Sequence, residues 1–300
     1  MRDQFAVAGG SIAGRDHTRA GRNNHDAFSW IQDPDWTIAF VADGCGGADD
    51  KVPMDVRVRH GAGPHSEVGA KLGVRLVAES VRRSLRRFAE HPIAATGVLP
   101  EHDSFWERIR QDVLAGLRVL ALQMGDSLSE VVNEYFLFTL VGAVITKWGT
   151  SIVSLGDGIY GCNGNVRVLG PYPDNEPPYL AYGLVPTSLA NTDPRLLKFV
   201  VHEMLSTDQV HSILLGTDGG KDLQEAAGRC IPGSAELVGP LDQFWMNDLY
   251  FRNPDALRRR LAVINRDRSV QGDGGGTQNA AGLLPDDTTL IAIRRRSGGA

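Results

Sequence analysis

The sequence has little cysteine, and its cysteines are not arranged as a metal knuckle or a redox pair. Cys45, Cys162 and Cys230 are three residues at unrelated spacings, and no CxxC pair occurs. This pattern argues against a Cys-ligated zinc site and against a thioredoxin-like site. Unpaired thiols are typical of a reducing compartment, so we expect a cytoplasmic protein.

A long hydrophobic run and an excess of positive charge are also absent. The most apolar stretch, residues 135–145, is too short to cross a bilayer, which takes about 20 residues. Residues 1–5 lack the apolar segment of a signal peptide. The formal net charge is −5, whereas a general nucleic-acid binder carries a basic field. We therefore expect neither a membrane nor a nucleic acid among the partners.

The remaining composition, 42% hydrophobic and 22% charged residues, is that of an ordinary globular protein. We predict a single domain over residues 1–296, followed by a tail at 297–300. Two polar loops are inserted near 48–65 and 170–194, and the second, with its prolines, suits a surface flap. Both functional loops and disordered loops have such sequences, so the role of the two loops stays open.

Short runs rich in β-branched and aromatic residues predict strands. Apolar residues at helical spacing predict a helix from Ser66, a second over 106–124, and a third that Asn253 caps with Pro254 as its first residue. On the first helix, the predicted apolar positions are Val68, Leu72, Leu76, Val81, Leu85 and Phe88. The order of elements lacks the regular alternation of a parallel α/β fold, so antiparallel sheets with helices outside fit better. The predicted strands are 36–42, 140–146, 151–155, 211–216 and 288–293.

Four aspartates lie where an apolar strand meets a turn: Asp43, Asp157, Asp218 and Asp286. Glycine follows the first three, which lets the chain turn sharply beside the carboxylate. A single Asp-Gly pair is most often only a turn. Several carboxylates at one sheet edge, however, repel each other unless cations neutralise them, and hard oxygen ligands favour Mg²⁺ or Mn²⁺. The pattern alone predicts a metal or phosphate site.

Five segments resemble, in order, the motifs of the metal-dependent (PPM, type 2C) protein phosphatases. Each motif is weak alone, but five in the right order are specific, and residues 66–70, with Gly14 and His17, are similar to a bacterial subgroup. The resemblance implies an α+β fold: a four-layer αββα sandwich in which two central antiparallel β-sheets are flanked by helices. The five segments are 24–27, 41–47, 156–158, 214–219 and 286–291.

The resemblance also implies two divalent cations, Mn²⁺ or Mg²⁺, in a cleft at one edge of the sandwich. Asp43 would bridge both metals, and the Gly44 carbonyl would bind one of them. Asp218 and Asp286 would complete the other, and Asp157 would orient water. A metal-bridging hydroxide would then attack phosphoserine or phosphothreonine directly. The implied partners are a phosphoprotein substrate and a cognate Ser/Thr kinase system.

Three positions depart from the family pattern. His25 stands where the family has an acidic or amide residue, so Asp26 is the residue that we assign to the catalytic site from this motif. Cys45 stands where many relatives carry a histidine that is a candidate general acid, and a thiol is a poorer proton donor. Gly21 stands where the family has its phosphate-binding arginine.

Three side chains near Gly21 are candidates for binding the phosphate: Arg19, Arg22 and His17. A guanidinium can clamp phosphate bidentately, although a solvated surface arginine is the alternative. The departures leave two other functions open, a pseudo-phosphatase that binds phosphoproteins as a regulatory module and a hydrolase of small phosphometabolites. The arginines at 82–83 and 86–87 are interpreted as a solvated helix face, with docking of an acidic partner as the alternative.

Overall fold

The computed structural model describes residues 1–45, 65–90, 102–173, 176–186, 193–271 and 277–296. The strands are β1 Phe5–Ile12, β2 Ala27–Gln32, β3 Trp36–Ala42, β4 Leu140–Thr146, β5 Gly149–Leu155, β6 Gly158–Cys162, β7 Asn165–Leu169, β8 Val200–Leu205, β9 Ser212–Gly216, β10 Arg268–Gln271, β11 Thr277–Ala280 and β12 Thr288–Arg295. The α-helices are α1 Arg15–Arg19, α2 Ser66–Ala89, α3 His102–Met124, α4 Leu128–Tyr135, α5 Gly219–Glu225, α6 Gln243–Met246, α7 Leu249–Arg252 and α8 Ala256–Ile264. Short 3₁₀ helices lie at Leu180–Leu184, Pro194–Leu197 and Thr207–Gln209.

The strands form two five-stranded sheets and a separate β10–β11 hairpin. The first sheet has the order β1-β12-β9-β6-β7, and the second has the order β2-β3-β4-β5-β8. All pairings in both sheets are antiparallel. Antiparallel neighbours can be joined by tight turns, as β4 and β5 are at Lys147 and Trp148.

Three hydrophobic cores separate four layers. The core between the two sheets contains Phe5, Val41 and Ile291. A second core lies between the outer face of the second sheet and helices α2 to α4. A third lies between the outer face of the first sheet and the C-terminal helices, including Leu261 of α8. Side chains alternate between the faces of a strand, so each sheet supplies two cores. The fold is therefore an α+β sandwich with two central antiparallel sheets and outer helices, which confirms the prediction.

The face that α2 buries agrees in part with the predicted apolar stripe, since Val81 and Leu85 are buried in the core. Leu72 and Leu76 are only half-buried, whereas smaller residues such as Ala70 and Gly73 are buried. At Gly73 an added Cβ would come within 2.5 Å of the Phe138 ring. The helix therefore approaches the sheet through its small residues, and large side chains pack at the flanks of that contact.

The third predicted helix begins two residues later than expected. Its first residue is Ala256, after the N-cap residue Asp255, so the assignment of Asn253 as the cap was wrong. The Asn253 side chain instead accepts a hydrogen bond from the Asp255 N–H at 3.0 Å. This is a local turn of the kind that asparagine favours, and it precedes the helix rather than capping it.

The predicted flap at 170–194 is only partly described, and its described middle is not a surface feature. Tyr179, Leu180 and Ala181 are buried in the core beside the second sheet. The flap interpretation was therefore wrong for these residues. Positions 174–175, 187–192 and 297–300 lie outside the described residues, as does the loop 48–65 except for its last residue. The single domain over 1–296 stays a prediction.

Candidate metal centre

The predicted aspartates lie around the same end of the sandwich. Asp43 directly follows β3, Asp218 lies two residues after β9, and Asp286 lies two residues before β12. Strands β9 and β12 are paired, and the Thr217 N–H donates to the Thr289 carbonyl at 3.1 Å. Two chain segments distant in sequence therefore deliver carboxylates to one edge.

Asp157 sits in the turn between β5 and β6. The glycines on either side, Gly156 and Gly158, have φ values of 93° and 136°. This region is strained for residues with a side chain, so the two glycines let the chain reverse around the aspartate. At Gly158 an added Cβ would also come within 2.7 Å of the Gly216 carbonyl oxygen, so the turn packs closely on β9.

The segment after β3 is held in place by its backbone. The Thr139 N–H donates to the Asp43 carbonyl at 2.9 Å, and the Cys45 N–H donates to the Leu137 carbonyl at 3.0 Å. Between them, Gly44 leaves no room for a side chain, since an added Cβ would lie 2.7 Å from the carbonyl oxygens of His25 and Ser66. The position of the predicted ligand Gly44 is therefore fixed from both sides.

The aspartates of the edge are buried close to one another, and their charges repel. Burial raises the pKa of Asp43 well above its ordinary range, and the charge of Asp218 raises it further. Burial, then the charges of Asp286 and Asp157, raise the pKa of Asp218 to about 7. The pKa values of Asp157 and Asp286 are also raised, again mainly by burial. A bound cation would relieve this repulsion.

Asp26 joins this group from the loop before β2. Its Oδ2 accepts a hydrogen bond from the Thr217 hydroxyl at 2.7 Å, while its buried Oδ1 has no partner among the residues that the structure describes. Burial raises the pKa of Asp26 well above its ordinary range, and Asp287 and Asp218 add to the rise. In the described part of the chain, the buried Oδ1 of Asp157 also has no partner. Hard oxygen donors with unmet bonding capacity suit a divalent cation such as Mg²⁺ or Mn²⁺, so the residues fit the metals that the family resemblance implied.

One compact group of potential ligands was not expected from the sequence. In the described part of the chain, the ligand atoms of His17, Asp286 and Asp287 all lie within 4.8 Å of one another. The trio Asp43, Asp218 and Asp286 does not reach that mutual spacing there. The role of these three as metal ligands therefore stays a prediction.

Asp287 holds the loop that precedes β2 against the start of β12. Its Oδ1 accepts from the Gly14 N–H at 2.6 Å, and its Oδ2 accepts from the His25 N–H at 2.6 Å. The His17 ring Nδ1 lies 2.8 Å from the same Oδ2. Because all three contacts are with residues 14–25, the Asp287 carboxylate positions that segment. Its donors are 262 to 273 residues away along the chain, which is why a local motif could not reveal them.

The three predicted phosphate-binding residues have different surroundings. Arg19 is exposed and forms an ion pair with Asp267 at 3.1 Å. Arg22 is half-buried, and its charge opposes the rise in the pKa of His17 that the hydrogen bond to Asp287 causes. His17 and Arg22 are therefore near each other beside the carboxylates, whereas Arg19 is engaged at the surface.

The two other departures from the family pattern have clear contacts. His25 is buried, with its Nδ1 3.3 Å from the Ser66 hydroxyl and its Nε2 4.0 Å from Glu67. The ring is thus directed towards the start of α2. The Cys45 thiol lies 3.4 Å from Asp43 Oδ2, and burial together with the charge of Asp43 raises the thiol pKa well above its ordinary range. Cys45 is therefore a neutral thiol beside the carboxylates.

The comparison with protein families decides the assignment. A family model described as protein phosphatase 2C matches residues 13–247. The chain belongs to the protein phosphatase 2C family. The match covers the region from the loop before α1 to the end of α6, and it includes every predicted site residue except Asp286. Among curated proteins, none matches the chain.

Solved structures with similar folds span the full length of this family member at low identity. A bacterial serine phosphatase, in a form that bears a point mutation, is 13% identical, with a TM-score of 0.48 over 98% of this chain and 99% of that one. PppA of Pseudomonas aeruginosa is 19% identical, with a TM-score of 0.41 over 98% of each chain. The Mycobacterium tuberculosis serine/threonine phosphatase PstP/Ppp is 14% identical, with a TM-score of 0.42 over 98% and 100%. At these TM-scores the assignment rests on the family match alone.

No helix in the described ranges combines the length and the apolar character needed to cross a membrane.

Proposed function

We propose that this chain is a metal-dependent phosphatase that removes phosphate from phosphoserine and phosphothreonine in proteins. The observation that carries the proposal is the group of aspartates with raised pKa values at one sheet edge of a protein phosphatase 2C family member. Mutual repulsion of these carboxylates lowers the stability of the fold unless cations bind. Clusters of groups with strongly shifted pKa values are typical of functional sites.

The residues that would hold two divalent cations, Mn²⁺ or Mg²⁺, are Asp43, Asp218, Asp286 and the carbonyl of Gly44. When bound, the cations lower the pKa of water and neutralise charge on the phosphoryl oxygens. Asp157 supplies a buried carboxylate oxygen without a hydrogen-bond partner, which can accept a hydrogen bond from a water and orient it. This division of work follows the family resemblance.

Asp26, His17 and Arg22 supply the rest of the proposed site. Asp26 is close enough to Asp218 and Asp287 for their charges to raise its pKa, and its buried Oδ1 has no partner among the described residues. The His17 ring, fixed by Asp287, and the Arg22 guanidinium are donors for phosphoryl oxygens. Cys45 does not replace the imidazole of relatives, because its raised pKa makes the thiol a weak proton donor. Aryl phosphates, whose leaving groups need no protonation, should therefore be hydrolysed faster than alkyl phosphates.

The decisive experiment is hydrolysis of an aryl phosphate by the wild-type chain and by Asp43→Asn, in Mn²⁺, in Mg²⁺ and in chelator. We expect turnover that requires metal and that the substitution abolishes. Turnover that survives chelation, or that Asp43→Asn leaves intact, would contradict the proposal.

A second experiment separates protein substrates from the alternatives. Phosphopeptides and a panel of small phosphometabolites are compared by kcat/KM under the same metal conditions. Preference for the phosphopeptides supports a protein phosphatase, for which we propose a Ser/Thr kinase as the opposing enzyme. Preference for a metabolite, or phosphopeptide binding without turnover, favours one of the two other functions.

A further inference from the structure

One face of α2 carries positive charge in a single line. Lys71, Arg75, Arg82 and Arg86 fall within about 60° of the helix circumference, because each residue advances by about 100°. The line from the first to the last is about 22 Å long at about 1.5 Å per residue. Glu79, about 20° beyond the edge of this line, interrupts it between Arg75 and Arg82. We call the four cationic residues the α2 basic face.

Most of this charge has no internal counter-charge. Arg82 pairs with Glu79 at 2.7 Å. Lys71, Arg75 and Arg86 are exposed, and within the described residues none of the three forms an ion pair or a side-chain hydrogen bond. The protein as a whole has a net charge of −5, so the α2 basic face is a local reversal of the overall charge. Such a reversal attracts anionic partners to one place.

The α2 basic face begins at a cavity that reaches the candidate metal centre. This cavity of about 630 Å³ is lined by Asp26 of the centre and by Lys71 of α2. Phe28 of β2 also lines it and stacks on Trp30 at a ring distance of 5.7 Å. Trp30 is 39% exposed. A chain that enters the cavity at Lys71 can therefore continue along the cationic side chains of α2, past Glu67, which also lines the cavity. The Phe28–Trp30 pair lies on the opposite face of β2.

We infer that the α2 basic face docks an acidic segment of the phosphoprotein substrate, on one side of the phosphorylated residue. The inference rests on the proposed function, since it names the class of substrate that the same site takes. An extended segment of about seven residues spans the line, at about 3.3 Å per residue. Glutamates and aspartates in that segment complement the unpaired cations. Exposed ion pairs are individually weak, so the face contributes mainly to selection and to the rate of association.

Direct binding tests the inference without any use of catalysis. The probe is a fluorescein-labelled, unphosphorylated peptide of alternating glutamate and serine, titrated with the full chain in chelator and followed by fluorescence anisotropy. A peptide with glutamine in place of glutamate measures the contribution of charge. A single-stranded oligonucleotide of the same length measures general attraction of anions.

The matched variants change the same net charge at two places. Arg75→Glu/Arg86→Glu reverses two cations of the α2 basic face, and Arg229→Glu/Arg266→Glu reverses two exposed arginines in the layer beside the other sheet. We expect the first pair to weaken binding of the glutamate peptide about tenfold and the second pair to leave it nearly unchanged. Neither pair lies in the proposed catalytic site, so hydrolysis of a small aryl phosphate should be unaffected by both.

Three results would overturn the inference. They are equal binding of the glutamate and glutamine peptides, equal loss in both variant pairs, and oligonucleotide binding as tight as peptide binding. Any of these can occur while metal-dependent phosphatase activity persists. Conversely, charge-specific peptide binding in a chain that lacks phosphatase activity would contradict the proposed function and leave the docking surface in place.

Discussion

Aspartates at the sheet edge and aspartates on the C-terminal helices have opposite surroundings. At the helices, the Asp255 carboxylate accepts hydrogen bonds from Arg258 at 2.6 Å and from Arg259 at 2.7 Å. These hydrogen bonds lower the pKa of Asp255 to about 2. At the edge, burial and neighbouring carboxylates raise the pKa of Asp218 to about 7. In the part of the chain that the structure describes, no lysine or arginine forms an ion pair with Asp26, Asp43, Asp157, Asp218 or Asp286.

The difference shows which aspartates are neutralised by cationic side chains of the same fold and which are not. The helix aspartates are satisfied by neighbours three or four residues away, as surface helices commonly arrange. The edge aspartates come from distant segments and leave negative charge to be neutralised from outside. This contrast is the physical basis of the proposed metal centre.

The largest expected effect is on activity. Asp43→Asn should lower metal-dependent hydrolysis of an aryl phosphate by more than about a hundredfold, because even residues that only support metal ligands contribute tenfold to a hundredfold. Asp255→Asn is the matched control and should leave kcat and KM unchanged. Similar losses in the two variants would remove the distinction between the two groups of aspartates.

The next effect is on stability as a function of pH. The folded state holds the Asp218 proton more tightly than the unfolded state, so this group stabilises the metal-free fold below about pH 4. That stabilisation, on the order of a few kcal/mol, should be lost as the pH rises towards 7, which is the pKa of the folded state. Chemical denaturation in chelator between pH 4 and pH 7 measures it.

Two comparisons check the cause of that pH dependence. Asp218→Asn should flatten the decline between pH 4 and pH 7, whereas Asp255→Asn should not. Saturating Mn²⁺ should raise Tm most at the upper end of this range, because protons no longer compete for the carboxylates. A wild-type chain whose stability in chelator is constant over the range would contradict the origin of the raised pKa.

A smaller effect is expected at Asp287, which lies beside the edge but has its bonds satisfied. Asp287→Asn leaves one acceptor oxygen for contacts with Gly14, His25 and His17, so at least one donor loses its partner. We expect a loss of about 1 to 3 kcal/mol in the free energy of unfolding, the cost of an unsatisfied buried group. Urea denaturation measures this loss, and Asn279→Asp at the exposed hairpin should change stability little.

The smallest effect distinguishes the two arginines. Arg22→Ala should raise KM for an aryl phosphate about tenfold, the value of one charge-assisted contact, while Arg19→Ala should leave it unchanged. Arg22 is half-buried and close enough to His17 for its charge to act on the ring, whereas Arg19 is exposed and pairs with Asp267. An equal rise in KM for both variants would show that the surface pair breaks when phosphate binds.

The strand ends of the site could be predicted because their signals are local. Residues 36–42 form a strand that ends directly before Asp43, as predicted. The predicted helix begins at Ser66, also as predicted. The layered fold came from the order of such elements together with the family resemblance. What is local in the sequence, namely an apolar run, a glycine turn and an adjacent aspartate, was sufficient for these features.

The remaining features depend on contacts between distant segments. The hold of Asp287 on Gly14 and His25 joins the two ends of the chain, and no nearby pattern encodes it. The buried face in the first half of α2 depends on where Phe138 lies, so the small Gly73 faces inward while Leu72 and Leu76 are only half-buried. The spacing of apolar residues predicts which side of a helix faces the core. It does not predict how closely the helix backbone approaches the sheet.

The measurement that most directly tests the central claim is anomalous diffraction from crystals of this chain soaked in Mn²⁺. The account predicts manganese at the sheet edge, in contact with carboxylate oxygens of Asp43, Asp218 and Asp286. An edge without manganese at saturating concentration, or manganese only at other carboxylates of the surface, would contradict it.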